Sequence, residues 1–303
     1  MSTEATPARG QAVVLRWRRA YSWQRFWEGA RRYPLLPLFI LSVVAVAGVF
    51  APLIAPHDPA DFELNRSLMP PFWDPKGSSE FLLGTDKLGR DMLSRIIWGA
   101  RISLIVGFLG VGFAGVVGTT LGLVSGYYGG KTDAIIMRIV DIKMAVPGFL
   151  LALVLAAVIG PSLQTVVIVV MLVYWTNYAR LIRGETLSVK ERDFVALARV
   201  AGCSPARILF KHVFPNVVNT AVVLATLQLG TVIIFEASLS FLGLGVQPPA
   251  AAWGSMLADG RQHVTAAWWL SVFPGLGIMF TVLACNLTGD WLRDYLDPKR
   301  RQL

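Results

Sequence analysis

"ISLIVGFLGVGFAGVVGTTLGLVSG", residues 102–126, carries no charged side chain. A bilayer core about 30 Å thick needs about 20 apolar residues per helical crossing, so this stretch alone is long enough to span. It is not isolated. Residues 35–55, "LLPLFILSVVAVAGVFAPLIA", are uncharged too, as are 144–179, 213–235 and 264–289. The chain of 303 residues is 54% hydrophobic and 16% charged, against about 25% charged in an ordinary soluble domain. A large buried core would also raise the hydrophobic fraction, but it would not produce charge-free windows of membrane length. Reading Gly160-Pro161 as a turn divides 144–179 and gives six spans, near 35–55, 102–126, 139–159, 163–181, 216–238 and 268–288. The expected fold class is an all-α polytopic membrane protein with six transmembrane helices.

Loop charge predicts the topology, because cytoplasmic loops carry the excess of Lys and Arg. Residues 1–34 hold seven Arg against two Glu, and 180–212 hold seven Lys/Arg against three acids. The tail, 290–303, has four basic residues, whereas 56–101 is balanced at six basic and seven acidic. The N-terminal segment 1–34, the 180–212 loop and the tail 290–303 are therefore expected in the cytoplasm, with both termini there, and 56–101 outside. The +9 net charge follows from this bias, and nucleic acid is not expected as a partner. The first 34 residues lack the form of a signal peptide, having Arg as late as position 32 before a long apolar run. "WRRAYSWQRFWEGARRY" (17–33) reads instead as an interfacial helix, with Trp17, Trp23, Phe26 and Trp27 among Arg. Cys203 and Cys285 are too few and too far apart for a disulfide or metal framework.

Several chemistries are excluded. "GVGFAG" (110–115) matches a dinucleotide-binding pattern, but that pattern needs a strand before it and a helix start after it, and here it sits inside a span. Together with Gly118, Gly122 and Gly126 it reads as a small-residue face for close helix packing. "GTDKLGRD" (84–91) has the frame of a phosphate loop with Arg90-Asp91 where Lys-Ser/Thr is required. No zinc-protease or nucleophile-elbow motif is present, so the chain is not expected to be an enzyme or to hold a metal or cofactor of its own. Mid-span carboxylates, which a proton- or cation-driven carrier uses, are scarce. Asp141 and Lys143 lie near the start of the third span, two apart and on different faces, and are expected at the cytoplasmic interface with Lys143 snorkelling. Glu236, at the outer end of the fifth span, is either a pathway residue or an interfacial residue bonded to the loop after it.

Between spans four and five lies "ARVAGCSPARILFKHVFPN" (198–216). Gly202 suits a helix C-terminus, Ser204 an N-cap and Pro205 a first helical position. The expectation is a helix over about 190–201, a tight turn, a second helix over about 205–213, and Pro215 opening span five. Phe194, Leu197, Ala198 and Ala201 share one face of the first helix, and Ile208, Leu209 and Phe210 cluster on the second. A DNA-reading helix-turn-helix would need a third helix and a polar recognition helix, and a plain surface loop would not cluster apolar residues toward the cytoplasm. A short apolar-and-basic helix fits a groove on a partner protein.

This unit resembles the cytoplasmic signature loop of ABC-importer permeases. The general pattern E-A-A-x3-G-x9-I-x-L-P is met at Ala198, Gly202 and Pro215, with Ala196 where it has Glu. The variant of the dipeptide, oligopeptide and nickel branch fits better, at Asp193, Phe194, Val195, Ala198, Arg199, Gly202, Ser204, Arg207, Ile208, His212, Pro215 and Asn216. "LGTDKLGRDMLSRIIWGARISL" (83–104), "EASLSFLGLGVQPPAAAWGSML" (236–257) and "FPGLGIMFTVLACNLTGDWLRDYLDPK" (273–299) resemble other segments of the C-type permeases of that branch. The resemblance implies a permease core over 102–289 with coupling helices at 190–213, in the inner membrane beside lipid. It also implies a second homologous permease, two ATP-binding subunits that hold ATP and Mg, and an extracytoplasmic binding protein. Asp193, Ala198, Arg199, Gly202, Ser204, Arg207, Ile208, His212 and Pro215 then form the ATPase-coupling set, with Ala198, Gly202 and Arg207 as the docking surface. Outside, Asp86, Arg90, Asp91 and Arg95 are expected as an ion-pair network, and Arg90 or Arg101 as a contact for a peptide carboxylate. The implied substrates are dipeptides, oligopeptides, nickel chelates or glutathione. A secondary carrier or channel without an ATPase is the alternative; it predicts inverted repeats, and the two halves show none.

Overall fold

A computed structural model describes residues 34–296. The expected interfacial helix at 17–33 and the basic residues at 299–301 lie outside them. The described chain is built from helices: α1 (Leu35–Val49), α2 (Ala51–Ile54), α3 (Met92–Tyr128), α4 (Gly130–Ala145), α5 (Gly148–Ile159), α6 (Leu163–Lys190), α7 (Asp193–Val200), α8 (Pro205–Ile208), α9 (Phe214–Phe241), α10 (Trp253–Gly260) and α11 (Trp269–Leu296). A 3-10 turn covers Leu64–Arg66, and a π-helical turn over Leu209–Val213 joins α8 to α9. Four helices are each long and apolar enough to cross a membrane: α3, α6, the continuous Pro205–Phe241 and α11. The bent pair α4–α5 and the nearly continuous α1–α2 supply two further apolar segments.

The helix boundaries have local causes. α3 begins ten residues ahead of the expected 102 because Asp91 caps it, accepting a hydrogen bond from the Ser94 amide at 2.9 Å. The expected continuous span 139–159 is instead two helices bent by 81° at Val146-Pro147. Pro147 has no N–H for the ladder and holds Val146 extended, at φ −93° and ψ 119°. The bend re-aims Lys143. Its ammonium does not snorkel as expected but turns inward onto α6, donating to the Val173 carbonyl and, at 3.2 Å, to the Thr176 hydroxyl. Asp141 accepts from the exposed Arg180 at 2.6 Å.

α3 and α6 form the central seam, and the glycines of α3 set their separation. A Cβ on Gly118 would lie 2.2 Å from the Trp175 carbonyl oxygen, and one on Gly122 would lie 2.6 Å from that of Ala179. Gly126 meets Thr186 in the same way. Between lipid-solvated helices close backbone approach replaces the hydrophobic drive, so these positions tolerate no side chain. The "GVGFAG" stretch lies mid-helix in α3, with Gly110 against Val170, which leaves it no room for a nucleotide. Val106, Ala114, Val166, Val170, Tyr178 and Leu239 complete a core shared by α3, α6 and α9.

Candidate functional site

The 37 residues of α3 separate two ends of the molecule by about 55 Å at 1.5 Å per residue. One end carries residues 55–91 and the other carries α7, α8 and the π turn. We refer to them by Asp86 and Gly202.

At the Gly202 end, α7 opens on Asp193, whose charge suits a helix N-terminus. Val195 and Ala198 turn inward and pack with Ile182, Val189, Ile208, Leu209 and Val213. The helix closes by a double bond: the Cys203 amide donates to the Ala198 carbonyl and the Gly202 amide to Arg199, both at 3.0 Å. Gly202 sits at φ +75°, a conformation that costs other residues about 1–2 kcal/mol. Ser204 then accepts from the Arg207 amide at 3.4 Å and Pro205 starts α8. Pro215 opens α9 in its first turn, as expected, but without a gap, since the π turn runs directly into that helix. Pro215 is accommodated where the wider π turn ends, and the Asn216 side chain donates to the His212 carbonyl at 2.7 Å. The first helix is also shorter than the expected 190–201, because Lys190 ends α6 and donates to the Gly126 carbonyl at 2.8 Å. Arg199 lies over the Tyr127 ring at 5.8 Å. The Arg183 fork grips Asp133 at 2.5 and 2.6 Å, ahead of the apolar part of the bent span.

Two members of the expected coupling set lie beneath the surface, and of the expected docking surface Gly202 and Arg207 are exposed but Ala198 is not. Ala198 and Ile208 are buried, at 7% and 1% exposure, and support the unit from beneath. The open apolar surface belongs to Leu197, Val200 and Phe210, at 68%, 87% and 71% exposure, with the exposed Arg207 beside them. Leu197 and Phe210 were legible as members of apolar clusters. Val200 was missed, although it follows Leu197 at i+3.

The Asp86 end is made differently. Asp86 is buried and accepts from the amides of Leu88 and Arg90 at 2.8 and 3.0 Å and from the Arg90 side chain at 2.7 Å. Arg95, also buried, lies 3.5 Å away and donates to the Pro59 carbonyl at 3.3 Å. Asp91 stands outside that ion-pair group. Its carboxylate caps α3, takes the Ser94 hydroxyl at 2.6 Å and lies 3.5 Å from His57. Gly89, at φ +78°, leaves no space for a side chain, since a Cβ would sit 2.0 Å from the Glu63 carbonyl oxygen. Thr85 accepts from the Met69 amide at 2.9 Å and donates to the Arg66 carbonyl. The Trp269 indole fastens the segment to α11, donating to the Thr85 carbonyl at 3.1 Å, and the Trp253 indole joins α10 to α3, donating to the Ile96 carbonyl at 2.9 Å. Arg101 is set apart from this group, over the Trp98 ring at 5.3 Å.

Glu236 is fully buried on α9. It accepts from the Ser240 hydroxyl at 2.8 Å, and that hydroxyl accepts from the Val246 amide at 3.3 Å. Ser103 of α3 is its neighbour outside hydrogen-bond geometry. The link from Glu236 to the following loop therefore runs through Ser240. Among the described residues no cluster of His, Cys, Asp or Glu could hold a metal ion.

Comparison with known proteins extends over most of the chain. The di/tripeptide transport system permease protein of Pseudomonas aeruginosa is 45% identical, covering 86% of each chain. The dipeptide transport system permease protein of Escherichia coli K12 is 46% identical over 92% of this chain and 94% of its own. A glutathione transport system permease protein of Pectobacterium atrosepticum is 43% identical over 91% of each. Among solved structures, the inward-facing MetNI methionine ABC transporter matches with TM-score 0.56 at 19% identity, over 68% of this chain and 98% of that one, which supports the fold. The sequence model described as "Binding-protein-dependent transport system inner membrane component" matches residues 118–302. The chain belongs to that family of permeases, the membrane-spanning subunits of ABC importers.

Proposed function

We propose that the chain forms half of the pathway of an ATP-driven importer of short peptides and takes its energy from ATPase subunits docked at the Gly202 end. A second homologous permease supplies the other half, and a binding protein delivers substrate at the Asp86 end. In this reading both termini and α7–α8 face the cytoplasm and residues 56–91 face outward, as the excess of Lys and Arg in 180–212 supports. The observation that carries the reading is the exposed trio Leu197, Val200 and Phe210 on a short, rigidly capped unit. Aliphatic and aromatic side chains beside Arg207 suit a groove with apolar walls and an acidic rim. Because Pro205–Phe241 is one continuous helix, movement of that groove is passed directly into the membrane. The peptide substrate is supported by the names of the di/tripeptide and dipeptide relatives.

The test is reconstitution. The permease co-expressed with its neighbouring permease and ATPases should copurify with both, and vesicles holding the complex should take up labelled dipeptide only with ATP and the binding protein. Uptake by this chain alone, without any ATPase, would establish the carrier alternative.

A further inference from the structure

We infer that a second site lies at the Asp86 end, a subsite for the zwitterionic backbone of a short peptide, formed by Arg101, Trp98 and Asp58; it rests on peptide import as the function. These residues line an open cleft of about 680 Å³ together with Pro52 of α2, Ile102 and Ile105 of α3, and Pro249. That volume falls within the roughly 300–1,000 Å³ of small-molecule sites.

Arg101 differs from its basic neighbours in what it is bonded to. Arg90 and Arg95 share Asp86, Lys87 pairs with Asp259 at 2.7 Å, and Arg66 holds Glu63 and Glu80 at 2.9 and 2.8 Å. No carboxylate among the described residues pairs with Arg101; its guanidinium rests on the Trp98 ring instead. Stacking fixes the plane of the fork and leaves its N–H edges for an oxyanion, which a guanidinium takes in bidentate fashion. This decides between the two arginines considered for a peptide carboxylate, because Arg90 is buried and occupied.

The cavity also holds the opposite charge. Asp58 is exposed, and one of its oxygens accepts from the Ala60 amide at 2.8 Å. No ion pair joins Asp58 to Arg101 although both line the same space. A purely anionic ligand would be repelled by Asp58 and a purely cationic one by Arg101. A ligand with a separated ammonium and carboxylate satisfies both, and the apolar walls between them accept side chains with little discrimination. A free dipeptide has that form. A phosphatidylethanolamine headgroup is the other zwitterion available at a membrane, and we assign the site to the peptide because the cavity belongs to the segment that would receive substrate.

The experiment uses the assembled complex in non-ionic detergent without the binding protein. Alanyl-phenylalanine, its C-terminal amide and its N-acetyl form are each titrated against the native complex, Arg101→Gln and Asp58→Asn. The native complex should bind the free acid about ten-fold or more tightly than the amide. Arg101→Gln should erase that preference by weakening the acid alone, and Asp58→Asn should erase the preference over the N-acetyl form. Equal binding of acid and amide by the native complex overturns the proposal without any variant. So does a preference that survives Arg101→Gln, or displacement of the dipeptide by added phosphatidylethanolamine at equal concentration. ATP-dependent uptake measured in parallel separates the two readings: uptake without acid preference removes the subsite and leaves import standing, while absence of uptake removes both.

Discussion

The Asp86 end and the Gly202 end solve opposite problems. At the Asp86 end charges go inside: Asp86, Arg90, Asp91 and Arg95 are each no more than 5% exposed and answer one another, the backbone or the start of α3. At the Gly202 end apolar side chains go outside: Val200 is 87% exposed on a unit whose internal hydrogen bonds are complete at both caps. The buried ion pairs of the first region find their partners within the chain. The second is finished only as a shape, and its surface awaits another molecule. Order alone therefore does not separate scaffold from interface; what separates them is where the unsatisfied surface lies.

The largest effect that would sharpen this contrast is expected at Asp86. Asp86→Ala leaves Arg90 and Arg95 buried without their carboxylate, and breaking a buried pair costs about 3–5 kcal/mol. Thermal unfolding of the purified complex should shift down strongly and limited proteolysis should cut within 56–91. Gly202→Ala should cost about 1–2 kcal/mol, with Gly202→Asn milder, because a Cβ there meets nothing within 4 Å and only the backbone conformation is strained. Equal losses from Ala and Asn would show that something other than φ fixes the turn. Ser204→Ala removes one cap bond and should cost about 1 kcal/mol, read as faster amide exchange in α8. Val200→Asp should change stability by less than about 0.5 kcal/mol yet abolish ATPase copurification and peptide uptake. If Val200→Asp unfolded the protein as Asp86→Ala does, the two ends would not differ in kind.

The sequence disclosed most where physics is one-dimensional. Charge-free windows located the apolar segments, and the glycine spacing of α3 located its seam with α6, since both depend on residue type and distance along the chain. It disclosed less where a side chain had a choice of direction. Phe194, Leu197, Ala198 and Ala201 read as one face, but Ala198 joins Val195 against the core, and Phe194 and Leu197 face outward. Which side of an eight-residue helix is buried depends on what lies beneath it, here Ile182 and Val189. Lys143 misled for a related reason: an ammonium near a membrane surface has water on one side and, once Pro147 bends the chain, a carbonyl on the other. Pro147 itself was visible, yet Gly160-Pro161 marked the more obvious boundary. Pro215 opens α9 as read, but the π turn that joins that helix to α8 without a gap left no mark in residue type or spacing. The charges of "GTDKLGRD" were read as a group, but that Asp91 caps α3 while Asp86 holds both arginines follows only from the three-dimensional turn.

The continuity of Pro205–Phe241 has a mechanical consequence. Its 37 residues make a rod of about 55 Å, so a tilt of about 10° at the near tip sweeps the far tip through roughly 10 Å. A displacement of a few ångströms imposed beside Phe210 is thus magnified at the opposite membrane surface, where Glu236 and Ser240 fasten the rod to the loop at Val246. The π turn is the one place along it where the regular ladder is interrupted, and so the point at which such a lever would yield first. Phe210 itself lies in that turn, so the stiffness of the turn sets how much of a stroke reaches the far tip.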